Sequence, residues 1–164
     1  MYLIHKYNDS VCADFFESPI GILHIEACKL GICAITFVDK MPCLLPQKSN
    51  EYIDICKQQL SEYFLGDRNI FSVPIYMHGT EFQKKVWETS TSILYGTTKT
   101  YGELAREIKN PKSAIAVGQA LAKNPILIII PCHRILHAST NKSGYAAGIA
   151  RKKWLLQFEK ANKM

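Results

Sequence analysis

The 164-residue sequence predicts an α+β protein in two parts, and three observations carry that prediction. Apolar residues alternate with polar ones in the first half and recur at helical spacing in the second. The charge changes sign between the halves: residues 1–78 carry six Lys/Arg against nine Asp/Glu, and residues 79–164 carry fourteen against five. Between them, Pro74 to Thr80 has the composition of a linker. The expected domains are residues 1–78, a small α/β unit, and residues 79–164, a mostly helical one.

In the first half, Ser18-Pro19-Ile20-Gly21 is a turn. Leu23, Ile25 and Ala27 then alternate with His24, Glu26 and Cys28, which is strand period. Lys29-Leu30-Gly31 turns the chain, and Ile32 to Val38 reads as the paired strand. Asp39 to Asn50 holds two prolines and reads as a loop. Ile53, Cys56, Leu60, Tyr63 and Phe64 keep helical spacing over Glu51–Leu65, and Gly66-Asp67 ends that helix. Ile70 to Val73 suggests a further strand. His24, on a strand face, reads as structural rather than as a ligand.

In the second half, Thr80 with Gln83 fits a capping box, and Phe82, Val86 and Ile93 continue a helical face toward Gly96. Thr100 with Glu103 is a second capping box, opening a short helix. Asn110-Pro111 stops it and is expected to start another, because asparagine suits the N-cap and proline the first turn. There Ala114, Val117, Gly118 and Leu121 face the core, and Lys112, Ile115, Gln119, Ala122 and Lys123 lie opposite. A short helix, a tight break and a second helix form a helix-turn-helix. Lysines contact phosphates and glutamine contacts bases, so with the basic charge of this half a nucleic acid is the expected partner. Ile115 is anomalous, an apolar β-branched residue on the wet face. The last helix is Ile149–Lys160, with Trp154, Leu155 and Phe158 inside and Glu159 at its edge.

Chemistry concentrates in Ile128-Ile129-Ile130-Pro131-Cys132-His133-Arg134. The isoleucine run reads as a buried strand that ends at the proline and delivers one thiol to the edge of the core. A thiol with its ordinary pKa of about 8.5 needs a base before it is a good nucleophile near neutral pH. His133 is the obvious base and Glu159, the only acid after Glu107, the natural third member. Adjacent residues of an extended chain point to opposite faces, so either the chain turns at Cys132 or a water relays the proton. A buried inert cysteine beside a surface histidine is the structural alternative. Zinc held by Cys132, His133 and His137 is disfavoured, because adjacent ligands rarely fit one tetrahedral ion and no fourth ligand is evident. A hydrolase would need an oxyanion hole that the sequence does not locate.

The totals fit a chain with a packed core. Its hydrophobic share is 48%, and no stretch approaches the roughly 20 apolar residues of a membrane span. Tyr2-Leu3-Ile4 is broken at once by His5, Lys6, Asn8 and Asp9, so no signal-peptide core is expected. Six irregularly spaced cysteines without a Cys-x-x-Cys pair read as free thiols. The expected location is intracellular, in cytoplasm or nucleus.

Pro131-Cys132-His133-Arg134 after an isoleucine run, preceded by Val117-Gly118 and Asn124-Pro125, resembles the 6-O-alkylguanine-DNA alkyltransferases. Gly79-Thr80-Glu81-Phe82-Gln83, Val86-Trp87, Tyr95-Gly96, Tyr101-Gly102-Glu103-Leu104-Ala105 and Lys153-Trp154-Leu155-Leu156 with Glu159 resemble that family in order and spacing. Ser18-Pro19-Ile20-Gly21 resembles the opening of its N-terminal domain. The resemblance implies a ribonuclease H-like first domain and a winged-helix-like second one. It implies a single, irreversible transfer of an alkyl group from guanine to Cys132, with no metal or cofactor. His133 would deprotonate Cys132 through a water, Glu159 would orient His133, and Tyr101 would supply a proton or a hydrogen bond to the leaving guanine. Asn124 would brace the turn and Arg134 anchor the site. Tyr145 and the 143–148 loop would line the pocket, and the Ile135 carbonyl would read the guanine amino group. Lys112, Ser113, Ala114, Ile115, Gln119 and Lys123 would face the minor groove of double-stranded DNA, with the protein acting as a monomer. The family usually carries an arginine where this chain has Ile115, which here would act as an apolar wedge. Ala146 and Ala147 stand where the family tends to have a smaller or hydroxyl-bearing pair. The alternative is a non-catalytic module that binds alkylated DNA; a plain helix-turn-helix regulator leaves Cys132, His133 and Glu159 unexplained.

Overall fold

A computed structural model describes residues 11–41, 48–138 and 144–163. Cys43, Ser143 and the Tyr2–Asp9 reading lie outside the described residues. The chain divides into two compact units, Met1–Met77 and His78–Met164.

The first unit is a three-stranded antiparallel sheet with one helix. Strands β1 (Cys12–Ser18), β2 (Gly21–Cys28) and β3 (Gly31–Val38) lie in that order. Helix α1 (Glu51–Leu65) packs on all three strands. Asn50 caps it through Ile53 N–H, and Gly66 ends it in the left-handed region at φ 86°. Leu23, Ile25, Ile32, Ile35, Ile53, Leu60 and Tyr63 are fully buried between sheet and helix. Burial of this apolar surface is the main driving force for the unit.

Two features depart from the sequence reading. Strand β1 was not foreseen, because Asp14 and Glu17 interrupt its pattern; Asp14 pairs with Lys57 of α1 at 2.7 Å. Ile70–Val73 forms no strand. Gln59 takes its place as a partner: Oε1 accepts from Ser72 N and Val73 N at 2.9 and 3.1 Å, and Nε2 donates to Ser72 Oγ. A helix side chain thus satisfies backbone groups that a ladder would otherwise need. His24 is buried against Phe15, with Nδ1 3.5 Å from Glu26.

The second unit holds helices α2 (Glu81–Thr91), α3 (Tyr101–Glu107), α4 (Ala114–Ala122) and α5 (Ile149–Ala161). Both capping boxes, Thr80 with Gln83 and Thr100 with Glu103, are formed. Helix α2 stops at Thr91, short of Gly96. Its last turns carry Thr89, Ser90, Thr91 and Ser92, whose hydroxyls all donate to carbonyls three or four residues back. Such bonds compete with the helical ladder. Trp87 is buried, and its Nε1 donates to the Ala120 carbonyl at 2.9 Å, fixing α2 to α4.

Helix α4 begins at Ala114, not at Pro111. Lys109 at φ 60° breaks the chain after α3. The Asn110 carbonyl then accepts from both Ser113 N and Ser113 Oγ, so residues 110–113 form a turn. Strands β4 (Lys99–Thr100) and β5 (Ile135–Leu136) pair in parallel, Lys99 with Ile135 and Thr100 with Leu136. That short pair sets Tyr101, the first residue of α3, beside the segment that follows Cys132.

Candidate active site

The isoleucine run that reads as a strand is a tight turn. Ile130 N–H bonds to Ile126 O at 3.0 Å, and Ile129 N–H to Leu127 O at 2.9 Å. Ile128 sits at φ 72°, in the left-handed region, which a β-branched residue adopts only under constraint. Asn124 supplies it. Its Oδ1 accepts from Ile126 N at 2.9 Å, and its Nδ2 donates to Ile130 O at 2.9 Å and to Cys132 Sγ at 3.0 Å. One buried amide therefore closes the turn and touches the thiol. Burial of Ile126 to Ile130 holds the strained backbone from the other side.

After Pro131 the chain enters a 3-10 turn, Cys132–Arg134. The backbone turns at Cys132, but His133 makes no direct hydrogen bond to the thiol among the described residues, so the relay by water stays open beside the turn. His133 Nε2 lies 2.8 Å from Glu159 Oε1 of α5. Glu159 is fully buried rather than at the helix edge. Arg134 holds it by both arms, Nε to Oε2 and Nη2 to Oε1, each at 2.9 Å, while Nη1 donates to the Ile93 carbonyl. Gly96 N–H adds a bond to Oε2 at 3.2 Å. Gly96 is at φ 66°, and a Cβ there would press on the Glu159 backbone oxygen at 3.0 Å.

The electrostatics follow from this pairing. Burial pushes the Glu159 carboxyl up, but His133 and Arg134 outweigh it and bring its pKa down to about 2. Burial holds His133 below its usual pKa, against the pull of Glu159. The ring is therefore neutral at pH 7. With an acceptor-only carboxylate facing Nε2, that nitrogen carries the proton and Nδ1 is an acceptor. Nδ1 is buried and has no partner among the described residues. Burial pushes the Cys132 thiol up to about 11, while the Asn124 bond and the charge of Lys152 pull it down.

Cys132 borders a cavity of about 250 Å³ lined by Tyr101, Gly118, Leu121, Ala122, Gly144, Tyr145 and Ala146. Tyr101 and Tyr145 both have raised pKa values, from burial first and then the nearby Cys132, so both phenols keep their protons at neutral pH. The Tyr145 hydroxyl is buried without a partner among the described residues, and its ring meets His133 edge-on at 6.3 Å. Asn124 and Arg134 do not line the cavity: Asn124 lies under the thiol, and the Arg134 guanidinium is directed at Glu159 and Ile93. The Ile135 carbonyl accepts from Lys152 Nζ at 2.5 Å.

Helix α4 presents Ile115, Gln119, Ala122 and Lys123 as exposed residues, and Lys112 is exposed just before it. Ile115 is 81% exposed. Ser113 and Ala114 are half-buried at its start. Gly118 and Ala122, one turn apart, reach the cavity, so the helix that carries the exposed face also forms a wall of the pocket. Sequence reasoning missed Lys152 and the pocket role of Ala122. Lys152 was within reach: it shares a helical face with Leu155 and Glu159, both fully buried. Among the described residues no three His, Cys, Asp or Glu side chains gather closely enough to hold a metal ion.

Comparison with known proteins agrees with this arrangement. The family model for the DNA binding domain of 6-O-methylguanine DNA methyltransferase matches residues 81–161, and the model for its ribonuclease-like domain matches residues 11–77. A methylated-DNA–protein-cysteine methyltransferase from Methanosarcina acetivorans is 41% identical over 148 residues, 88% of this chain and 95% of that relative. The chain belongs to the 6-O-methylguanine DNA methyltransferase family. A relative of the same name from Haemophilus influenzae is 40% identical, over 89% of this chain and 84% of its own. The crystal structure of the Mycobacterium tuberculosis 6-O-methylguanine methyltransferase superposes with a TM-score of 0.84 at 35% identity, over 94% of this chain and 96% of that one. A Mycobacterium tuberculosis structure in complex with DNA superposes with a TM-score of 0.81 at 36% identity, over 90% and 92% of the two chains. Among the described residues no helix is long and apolar enough to cross a membrane.

Proposed function

We propose that this protein repairs 6-O-alkylguanine in double-stranded DNA by moving the alkyl group onto Cys132, once per molecule. The observation that supports it best is a thiol on the floor of a cavity whose wall is the same helix that carries the exposed basic face. A base turned out of the duplex at that helix enters the cavity directly. The Mycobacterium tuberculosis relative solved with DNA supports the partner, and the minor groove is the side the reading assigns. The protein acts as a monomer.

In the reaction the Cys132 sulfur attacks the alkyl carbon, the carbon–oxygen bond breaks, and its electron pair stays on the guanine. His133 Nδ1 takes the thiol proton through a water. Tyr101, protonated at neutral pH, gives a proton to the leaving guanine. The net change is a thioether on Cys132 and a normal guanine in DNA. Nothing in this step regenerates the thiol, so turnover is single. Glu159 fixes the His133 tautomer, and Arg134 fixes Glu159. Asn124 holds the thiol in place. Tyr145 and the Ile135 carbonyl contact the flipped base. Lys112, Ser113, Ala114, Gln119 and Lys123 bind the duplex, and Ile115 enters the stack as an apolar wedge.

The test is to incubate the protein with a duplex containing 6-O-methylguanine and weigh the Cys132 peptide. A gain of one methyl on that peptide supports transfer. Tight binding with no mass change supports the non-catalytic module instead.

A further inference from the structure

Lys152 is a buried cation with no place in the steps above. Its side chain is 2% exposed. Its Nζ donates to the Ile135 carbonyl at 2.5 Å and to the Gly144 carbonyl at 3.3 Å. Ile135 directly follows the turn that carries Cys132, and Gly144 opens the wall that continues through Tyr145 and Ala146. Both acceptors are neutral carbonyls, so the charge of Lys152 is not matched by them. A buried ammonium costs several kcal/mol of desolvation. A neutral amide would tie two carbonyls together without that cost.

The rest of the site shows where the charge is of use. The Glu159 carboxylate is neutralised by Arg134, and His133 is uncharged. The titratable groups around Cys132 are Tyr101 from α3, His133 from the turn, Tyr145 from the wall and Lys152 from α5, with Glu159 and Arg134 paired behind His133. Lys152 is the member of this set that favours the thiolate by charge. The thiolate in turn favours the ammonium, but burial outweighs it and leaves the Lys152 pKa at about 8.

We propose that Lys152 is a positioning residue for the transfer: its ammonium ties the backbone behind Cys132 to the pocket wall at Gly144 and stands as the fixed counter-charge toward which the thiolate forms. This rests on Cys132 being the nucleophile. It assigns two roles to one group. The hydrogen bonds set the width of the pocket, and the charge sets the reactivity of the sulfur.

The full chain is labelled with iodoacetamide across the neutral to alkaline range, and the Cys132 peptide is followed by mass. Lys152→Met and Lys152→Gln are expected to slow labelling of Cys132 roughly tenfold at neutral pH, where Lys152 is charged, and the difference is expected to close as pH rises past about 8, where that charge is lost. Lys152→Arg keeps the charge and is expected to keep the labelling rate at neutral pH. Glutamine retains a donor without charge, so it separates the tie from the counter-charge, and it remains informative where methionine fails to fold. Tryptophan fluorescence verifies that each variant is folded. A folded glutamine or methionine variant with an unchanged labelling rate at neutral pH overturns the assignment and leaves the repair reading intact. Failure of the unsubstituted protein to accept a methyl group from DNA would instead overturn the repair reading.

Discussion

At the scale of single residues, the site divides into groups that move protons and groups that hold them in place. In the proposed reaction Tyr101 is the acid: its phenol is protonated at neutral pH, lines the cavity and is carried beside Cys132 by the β4–β5 pair. Tyr101→Phe removes that proton source and keeps the ring. The expected result is a slowing of methyl transfer by about a hundredfold or more, read by single-turnover kinetics, with lesion binding retained. Ile115 is a different case. Its side chain is exposed on a helix otherwise faced by lysine and glutamine, and it cannot hydrogen-bond an orphaned base. Ile115→Arg adds a charged donor there and is expected to tighten lesion binding roughly tenfold. Unchanged affinity and unchanged transfer rate together would remove Ile115 from the wedge role.

At the scale of elements, helix α4 has two tasks on one cylinder. Val117, Ala120 and Leu121 are buried, and Trp87 holds the Ala120 carbonyl. A quarter turn away, Gly118 and Ala122 open the pocket, and Lys123 with the preceding Lys112 is exposed. If these lysines neutralise phosphates, removing both should weaken binding to lesion-containing and undamaged duplex alike. The slope of log affinity against log salt should fall by about two. A double Lys112→Ala, Lys123→Ala variant whose salt slope matches the parent protein would place the duplex elsewhere. The active-site turn shows the opposite economy. Two residues after α4, a single side chain, Asn124, determines the shape of the next eight. Isoleucine preference for strands loses there, because the turn is enclosed on all sides and its polar groups are satisfied by that amide.

At the scale of the molecule, the buried His133–Glu159–Arg134 group ties the stability of the second unit to pH. Glu159 has its pKa depressed from an ordinary carboxylate value to about 2 in the folded state. Its contribution is therefore fully present above the unfolded pKa, near 4.5, and is lost as pH falls through about 2. His133 acts in the same direction, since its folded pKa is also lowered and folding keeps it neutral. Acid should thus unfold this unit progressively below about pH 6.5, the ordinary histidine range, and steeply below about 4.5. Trp87 and Trp154, the two tryptophans of the chain, both lie in the second unit, so their fluorescence reports it selectively. Glu159→Gln is expected to flatten the low-pH limb and to lower stability at neutral pH, because it leaves Arg134 buried with a weaker partner.

The sequence by itself determined the two-part organisation, the helices with their capping boxes, and the cysteine, histidine and glutamate that meet at the site. Those features rest on local signals: a charge change, periodicity, Thr-x-x-Gln and Thr-x-x-Glu spacing, and an unusual run of residues around one cysteine. What only the tertiary structure decided rests on contacts between distant segments. Ile128 to Ile130 became a turn because Asn124 reaches forward to Ile126, Ile130 and Cys132. Residues 72–73 stayed out of the sheet because Gln59 satisfies them. Glu159 went to the centre because Arg134 and His133 meet it there, and Lys152 because two backbone carbonyls, from segments on either side of the pocket, face it. In each case a polar side chain supplies hydrogen bonds that neither hydrophobic periodicity nor turn composition encodes.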